Sequence, residues 1–234
     1  MNYPHVKFSY NLEKDIENIE IGLKMTEQGR KPDNELKNII NQFGNNPAKK
    51  NIKKYLESKW IERKNLIEIE VEQLQKYWNT IEEKFFLHLT SRMQINSFDN
   101  TENLSGFFST RYGSGYNSEK NWFAVSVHQG TFQNTKVAMH EIMHIFFHKN
   151  WWKFCEEQGL SEKNIWDVKE SVTVLLNLWF KNQLIDLDFG YEEHTELRHN
   201  IKKWFLESRD FKDTLIQACD YVKQNPEKSP SWIL

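Results

Sequence analysis

The stretch that decides the fold is residues 135–152, which read TKVAMHEIMHIFFHKNWW. Apolar residues recur around a polar triad, and this pattern predicts one helix over about 132–153. His140 and His144 are four residues apart, so on a helix their imidazoles project from the same side, one turn apart. Glu141 points about 100° round the helix from His140. Polar groups buried there without partners would cost on the order of 1–3 kcal/mol each, so the pattern indicates a use for them.

The spacing H-E-x-x-H has a geometric meaning. Two imidazoles one turn apart can coordinate one zinc ion at tetrahedral angles. Glu141 would lie close enough to take a proton from a zinc-bound water without being a ligand. Glu170, which is 26 residues after His144 and near the start of the next predicted helix, would complete a catalytic set of two histidines and one glutamate. The sequence therefore predicts one zinc ion per chain on His140, His144 and Glu170, with Glu141 as the general base.

His148 is the alternative third ligand. It follows His140 by eight residues, so it lies about 80° away from that helix face. It would also share a single straight helix with both other ligands, and one helix cannot wrap three ligands around a metal. The prediction therefore favours Glu170.

These residues resemble the gluzincin branch of the zincin metallopeptidases, the thermolysin-like clan. The resemblance covers roughly residues 84–200 and includes the small Ser171 after Glu170 and the order strand, H-E-x-x-H helix, glutamate helix. It implies a zincin-like core, a peptide or protein substrate, and peptide-bond hydrolysis by a zinc-activated water. It also implies a later His or Tyr that stabilises the oxyanion. His194 is expected in that role, with Tyr191 as the alternative.

One position departs from the family pattern. The residue one turn after the glutamate ligand is often an aspartate that orients a histidine, and here it is Val174. The orienting group is therefore expected elsewhere, with Asp167 or Asn177 as candidates. The metzincin branch fits less well, because the position six residues past His144 is Asn150 rather than a histidine.

The remaining chain predicts an α+β fold. The first eighty or so residues have a helical pattern, with one apolar stripe in a helix predicted over 48–82. The apolar run 85–89 suggests a buried strand, and 122–128 is rich in β-branched and aromatic residues, which favours another. Further helices are predicted over about 165–183 and 192–223. The predicted division is a helical N-terminal region over 1–83, a zincin-like core over 84–225 and a loose tail over 226–234.

Composition excludes some functions. The 31 basic and 33 acidic residues are interspersed and give a net charge of −2, so there is no basic stripe for nucleic acid. No stretch approaches eighteen apolar residues and no signal-length apolar run opens the chain, so we expect no membrane association and a cytoplasmic protein. The two cysteines, Cys155 and Cys219, are expected to be ordinary thiols.

Two other hypotheses stay open on the sequence. A zinc hydrolase that is not a peptidase, such as an amidase or deacylase, would use the same residues. A helical interaction protein with an inactive HEIMH helix is the other. The step from zinc hydrolase to peptidase depends on the family resemblance and not on spacing, and the oligomeric state stays open.

Overall fold

The computed structural model describes residues 3–95, 103–184 and 186–225. The strands are β1 (Val6–Tyr10), β2 (Leu104–Ser109), β3 (Gly115–Asn117) and β4 (Trp122–Ser126). The α-helices are α1 (Leu12–Glu27), α2 (Asn34–Phe43), α3 (Lys49–Arg92), α4 (Thr131–Asn150), α5 (Trp152–Glu157), α6 (Glu162–Val172), α7 (Leu176–Trp179), α8 (Thr195–Ser208) and α9 (Phe211–Gln224). The predicted α+β class is confirmed. The predicted tail over 226–234 lies outside the described residues.

The four strands form one mixed sheet in the order β1-β2-β4-β3. β1, β2 and β4 are parallel, and β3 runs antiparallel to β4 at one edge. β4 is buried along its whole length, which explains its continuous apolar sequence. The strand predicted over 122–128 is thereby confirmed, two residues shorter at its end. The turn-rich stretch before β4 contains the short strand β3. The sequence did not predict this strand, because the stretch is rich in glycine and polar residues.

The helix that carries HEIMH begins directly after β4. Asn134, in its first turn, accepts a hydrogen bond from the Ser126 backbone N–H (3.1 Å) and donates one to the Ser126 carbonyl (2.9 Å). Both side chains are buried, so this pair of bonds fixes the start of α4 against the end of the strand. The position of His140 and the residues after it is therefore set relative to the sheet.

Two predictions about the N-terminal part are wrong. The region begins with β1, a strand, which pairs with β2 from Val6 to Tyr10. The apolar run 85–89 is helical and belongs to α3, which continues to Arg92. Phe85, Phe86 and Leu89 are all buried because this end of α3 packs between neighbouring elements, so the run of apolar residues hides the helical period. The boundary proposed at residue 83 falls inside α3.

Most buried apolar residues in the described parts of the chain belong to a large cluster and a smaller one, and a third cluster consists of Phe107, Trp122 and Ala124 on the sheet. The large cluster joins the second half of α3 to the sheet, to α4 and to the C-terminal helices. The smaller one lies between α1, α2 and the first turns of α3, around Ile16, Ile39 and Leu56. α3 contributes to the large and the smaller cluster, so it connects the N-terminal helices to the part of the molecule that carries HEIMH.

The C-terminal half is helical, as predicted, with one interruption. The helix predicted over 165–183 begins earlier, at Glu162, and breaks after Val172 into a 3-10 turn, Thr173–Leu175, before α7. Cys155 and Cys219 are unbonded thiols whose Sγ atoms lie 3.8 Å apart in the core. None of the described helices combines the length and the apolar character that a membrane span requires.

Candidate metal centre

α4 supplies three of the polar residues of the site. His144 is 2% exposed and Glu141 is 4% exposed, and His140 is half-buried. The helix can hold them there because its apolar residues are in the core, among them Ala138, Met139, Ile142, Met143 and Ile145. This packing fixes the helix rotation, so the two histidines face the same cleft.

α6 brings Glu170 opposite the two histidines. Its Oε2 atom lies 3.3 Å from His144 Nε2 and 3.7 Å from His140 Nε2. One ligand atom from each of the three residues lies within 4.8 Å of the other two, and among the described residues these three form the one such group of metal-binding side chains. Glu170, the predicted third ligand, therefore lies with the two histidines, whereas His148 is not part of the group.

The residues present fit a zinc ion. Zinc bonds of about 2.1 Å at tetrahedral angles separate two ligand atoms by about 3.4 Å, close to the separations between Glu170 and the histidines. Neither ring nitrogen of His144 makes a hydrogen bond within the described part of the chain, although both are buried. Buried polar atoms are seldom left in this way, so His144 is suited to a metal ligand.

Lys169 forms an ion pair with the other carboxylate oxygen of Glu170, Oε1. The lysine is fully buried, and its Nζ lies 2.9 Å from Glu170 Oε1 and 3.1 Å from the Tyr116 hydroxyl. It also lies 3.5 Å from the ring centre of Trp166, a cation–π contact. The carboxylate is therefore held with Oε1 toward the lysine and Oε2 toward the histidines.

Asp188 orients His140. Its carboxylate lies 3.0 Å from His140 Nδ1, which leaves Nε2 facing Glu170. Asn177 holds the backbone of Asp188 from both sides, at 2.8 and 2.9 Å, and Arg198 donates to the Asp188 carbonyl. This is the carboxylate–histidine arrangement that fixes ring orientation in metal sites. Asp167 and Asn177 were the candidates for the group that orients a histidine. Asn177 contributes indirectly, by holding the backbone of Asp188, whereas Asp167 bonds His194.

The two histidines differ in charge in the metal-free protein. Burial lowers the pKa of His140, but the charge of Asp188 and hydrogen bonds to Asp188 and Glu170 outweigh it and raise that pKa to about 10. Burial, with the charge of Lys169, lowers the pKa of His144 to about 3. Burial alone would raise the pKa of Glu170, but Lys169 and the histidines hold it well below its ordinary value. His144 and Glu170 are therefore already in the forms that bind metal.

Glu141 faces the same cleft. Burial raises the pKa of its carboxyl, while the His140 charge and a hydrogen bond from Ser114 oppose that shift. A carboxyl with a raised pKa is a better proton acceptor than an ordinary one. Glu141 is not part of the group of three ligands, as the sequence predicted.

The cleft in front of these residues has a volume of about 490 Å³. One wall comes from α1 and the turn after it, through Ile21, Met25 and Arg30. Residues of β3 and α6 and the side chain of Tyr191 also line the cleft. The N-terminal region is thus a wall of the cleft.

Tyr191 and His194 occupy different environments. Tyr191 lines the cleft with His140, Glu141 and Glu170, and burial is the main cause that raises its pKa to about 12. His194 is 3% exposed, bonds Asp167 at 3.0 Å and is not among the residues that line the cleft. His194, which was expected over the metal, therefore does not line the cleft, whereas Tyr191, the alternative, does.

Two other side chains, Tyr116 and His148, also line the cleft near His144. Tyr116, on β3, lines the cleft with its ring centre 5.5 Å from that of His144. His148 lines it too, stacked on Trp152 at 4.4 Å. His128 stacks on Tyr112 instead, outside the cleft.

Four residues of the site carry no signal that the sequence could have revealed. Asp188 differs in no local pattern from Asp186, and Lys169 is one lysine of many. Arg198 and Arg30 lie in different parts of the chain and reach the site only through the fold. Val174 gave one indirect indication. The family resemblance places a histidine-orienting aspartate at that position, so such a group was expected from another part of the chain.

Comparisons of the chain with models of known protein families, with curated proteins and with solved structures each gave no match. The chemistry of the site therefore has to be inferred from its own residues and their geometry.

Proposed function

We propose that this protein is a zinc-dependent hydrolase, and that its substrates are peptides or proteins. The observation that carries the proposal is the convergence of His140 Nε2, His144 Nε2 and Glu170 Oε2 beside Glu141 in an open cleft. Two histidines and one carboxylate are a typical ligand set for catalytic zinc, which keeps one position for water or substrate.

In the proposed reaction, the zinc ion and the side chains of the protein have different roles. Zinc, when bound to His140, His144 and Glu170, supplies a Lewis acid that activates water and polarises a carbonyl. Glu141 takes a proton from the attacking water and then delivers it to the leaving nitrogen. Asp188 keeps the His140 ring in the orientation that presents Nε2 to the cleft.

Tyr191 is the proposed donor to the oxygen that becomes negative. Its high pKa keeps the phenol protonated at neutral pH, so its O–H can donate to that oxygen. The family resemblance suggested a His or Tyr for this role, and Tyr191 is the one that lines the cleft.

The sheet supports a peptide substrate over other amides. β3 is one of the two edge strands, and Gly115, Tyr116 and Asn117 all line the cleft. The outer edge of such a strand can pair with an extended peptide through main-chain hydrogen bonds. A peptide added there would lie alongside the proposed metal ligands.

The test uses Glu141→Gln, which keeps the size of the side chain but removes the base. We expect about one zinc per chain in both proteins, and kcat on a peptide library lower by about 10²–10⁴-fold in the variant. Zinc is measured by elemental analysis and cleavage by mass spectrometry of new peptide termini. Glu62→Gln, on the exposed face of α3, is the matched control and should leave both unchanged.

Two results would contradict the proposal. Wild-type protein purified without chelator that holds no stoichiometric zinc would remove the metal. Zinc-loaded protein that releases acyl groups from small amides but creates no new peptide termini would leave a hydrolase that is not a peptidase.

A further inference from the structure

The wall formed by α1 places a cation next to the proposed oxyanion donor. Arg30 Nη2 donates a hydrogen bond to the Tyr191 hydroxyl at 3.1 Å. The guanidinium carbon is 5.8 Å from the centre of the Tyr191 ring. Both residues line the cleft that contains His140, Glu141 and Glu170. The contact joins residues that are 161 positions apart in the chain.

Arg30 is held on a short, well-anchored turn. α1 ends at Glu27, and Gly29 then takes a φ of +99°, which favours glycine. The Arg30 backbone N–H donates to the Met25 carbonyl at 3.0 Å, and Nη1 contacts Met25 Sδ at 3.1 Å. The arginine is therefore directed back along α1 toward the cleft.

The end of this turn that leads into α2 is bonded to the loop that follows β2. Asp33 caps α2 by accepting from the Leu36 N–H, and it also receives Arg111 Nε at 2.8 Å. Arg111 is 2% exposed and follows β2, in the loop that leads to β3. The turn is thus pinned at both ends, so Arg30 does not depend on its own side-chain contacts alone for its position.

The donor direction of the Arg30–Tyr191 bond has a chemical consequence. A guanidinium has only N–H donors, so the phenol oxygen must be the acceptor in this bond. A phenol has a single O–H group, so Tyr191 can donate one hydrogen bond while its oxygen accepts the bond from Arg30. A cation beside the oxygen makes that O–H group a stronger donor, since hydrogen bonds with charged partners are stronger.

We propose that Arg30 is a positioning residue for catalysis, which fixes the Tyr191 hydroxyl and strengthens it as the donor to the developing oxyanion. The inference depends on the proposed hydrolase function for its kinetic consequence. It assigns the N-terminal helices a direct role in the catalytic step, in addition to completing the fold.

The kinetic test is a double-mutant cycle in the full zinc-loaded protein. We expect Arg30→Met to lower kcat on a cleaved peptide by about tenfold with KM little changed, because the loss affects the transition state. Arg30→Lys should restore part of it. In the Tyr191→Phe background the same change should have no further effect, because the arginine acts through the phenol. Arg63→Met, on the exposed face of α3, is the matched control.

A second readout does not need activity. Amide hydrogen exchange of residues 189–194 should be faster in Arg30→Met than in wild type and unchanged in Arg63→Met. Unchanged exchange would overturn the positioning role whether or not the protein proves to be a hydrolase.

Other results overturn the inference and leave the proposed function intact. One is an equal loss of kcat from Arg30→Met with and without Tyr191, which would make the two residues independent. Another is a change confined to KM, which would make Arg30 a substrate-binding residue. An inactive, zinc-free wild type would contradict the proposed function, and the exchange measurement would still decide the contact.

Discussion

At the scale of single residues, the site contains two histidines from one helix in different protonation states. His140 contacts the Asp188 carboxylate, whereas His144 is more deeply buried and is influenced by the charge of Lys169. The first is therefore cationic at neutral pH without metal, and the second is neutral. On the proposed function, zinc binding would displace a proton from His140 and none from His144.

This difference predicts how zinc affinity depends on pH. Because the pKa of His140 is raised to about 10, its proton competes with zinc below that pH, and affinity should rise about tenfold per unit between pH 6 and 8. His144, with a pKa of about 3, adds no second proton. Competition against a chelator of known proton affinity measures the slope.

Asp188→Asn is the control for this slope. It removes the largest influence that raises the pKa of His140, so the dependence on pH should flatten. A steep slope that persists in this variant, or a slope of two protons in the wild type, would contradict the assignment.

Lys169 leads to a second prediction about single residues. Lys169→Met should lower the free energy of unfolding of the zinc-free protein by up to roughly 3–5 kcal/mol, because the buried Glu170 carboxylate loses the cation at Oε1 and keeps His140 as its one charged partner among the described residues. Zinc should recover much of that loss, since the ion replaces the missing positive charge. Urea unfolding with chelator and with zinc gives both values. An equal loss in the two conditions would show that the lysine acts only by packing.

At the scale of elements, α3 organises the molecule through one buried carboxylate. Glu82 is 7% exposed, and its Oε1 accepts from the Val6 backbone N–H at 2.7 Å and from Trp78 Nε1 at 2.9 Å. The bond from Val6 attaches β1 to α3, and the bond from Trp78, within α3, holds the Glu82 carboxylate in place. The strand is therefore held both by its ladder with β2 and by a side chain of the long helix.

The corresponding prediction concerns Glu82→Ala. It should lower the free energy of unfolding by about 2–4 kcal/mol, because two buried donors lose their acceptor at about 1–3 kcal/mol each and part of that is recovered by relaxation. The exposed neighbour Glu83→Ala should change it by less than about 0.5 kcal/mol. Denaturant titration compares the two variants, and equal effects would refute the anchoring role of Glu82.

At the scale of the whole molecule, the N-terminal region and the helices around the candidate metal centre share one structure. β1 is an edge of the sheet, α3 enters the large and the smaller apolar cluster, and α1 forms a wall of the cleft. A boundary at residue 83 would cut α3 between Trp78 and Phe85, two fully buried aromatic residues.

A fragment of residues 84–225 is therefore expected not to fold. It would lack β1 and the apolar residues of α3 around Trp78, so β2 and the core would lose their covering. Circular dichroism during thermal unfolding should show no cooperative transition, whereas the full chain should show one. A cooperative transition for the fragment would establish 84–225 as an independent domain.

The sequence by itself determined what local periodicity and spacing can encode. The period of α4 and the four-residue spacing put His140 and His144 on one face, and the apolar run of β4 identified a buried strand. Glu170 was predicted as a carboxylate near the start of the next helix; that helix begins earlier than predicted, at Glu162, so Glu170 lies in its last turn. These are short-range properties, and in the structure His140 and His144 lie together on one helix and residues 122–126 form a buried strand.

The tertiary structure alone decided the rest. The role of the run 85–89 depends on which elements cover α3, and the pairing of β1 with β2 depends on a strand almost a hundred residues away. Asp188, Lys169 and Arg30 have ordinary local surroundings in the chain, so their proximity to the centre comes from packing. Tyr191 rather than His194 faces the cleft because Asp167 holds the histidine elsewhere. Side-chain partners separated by long stretches of chain leave no periodic pattern that a single sequence could reveal.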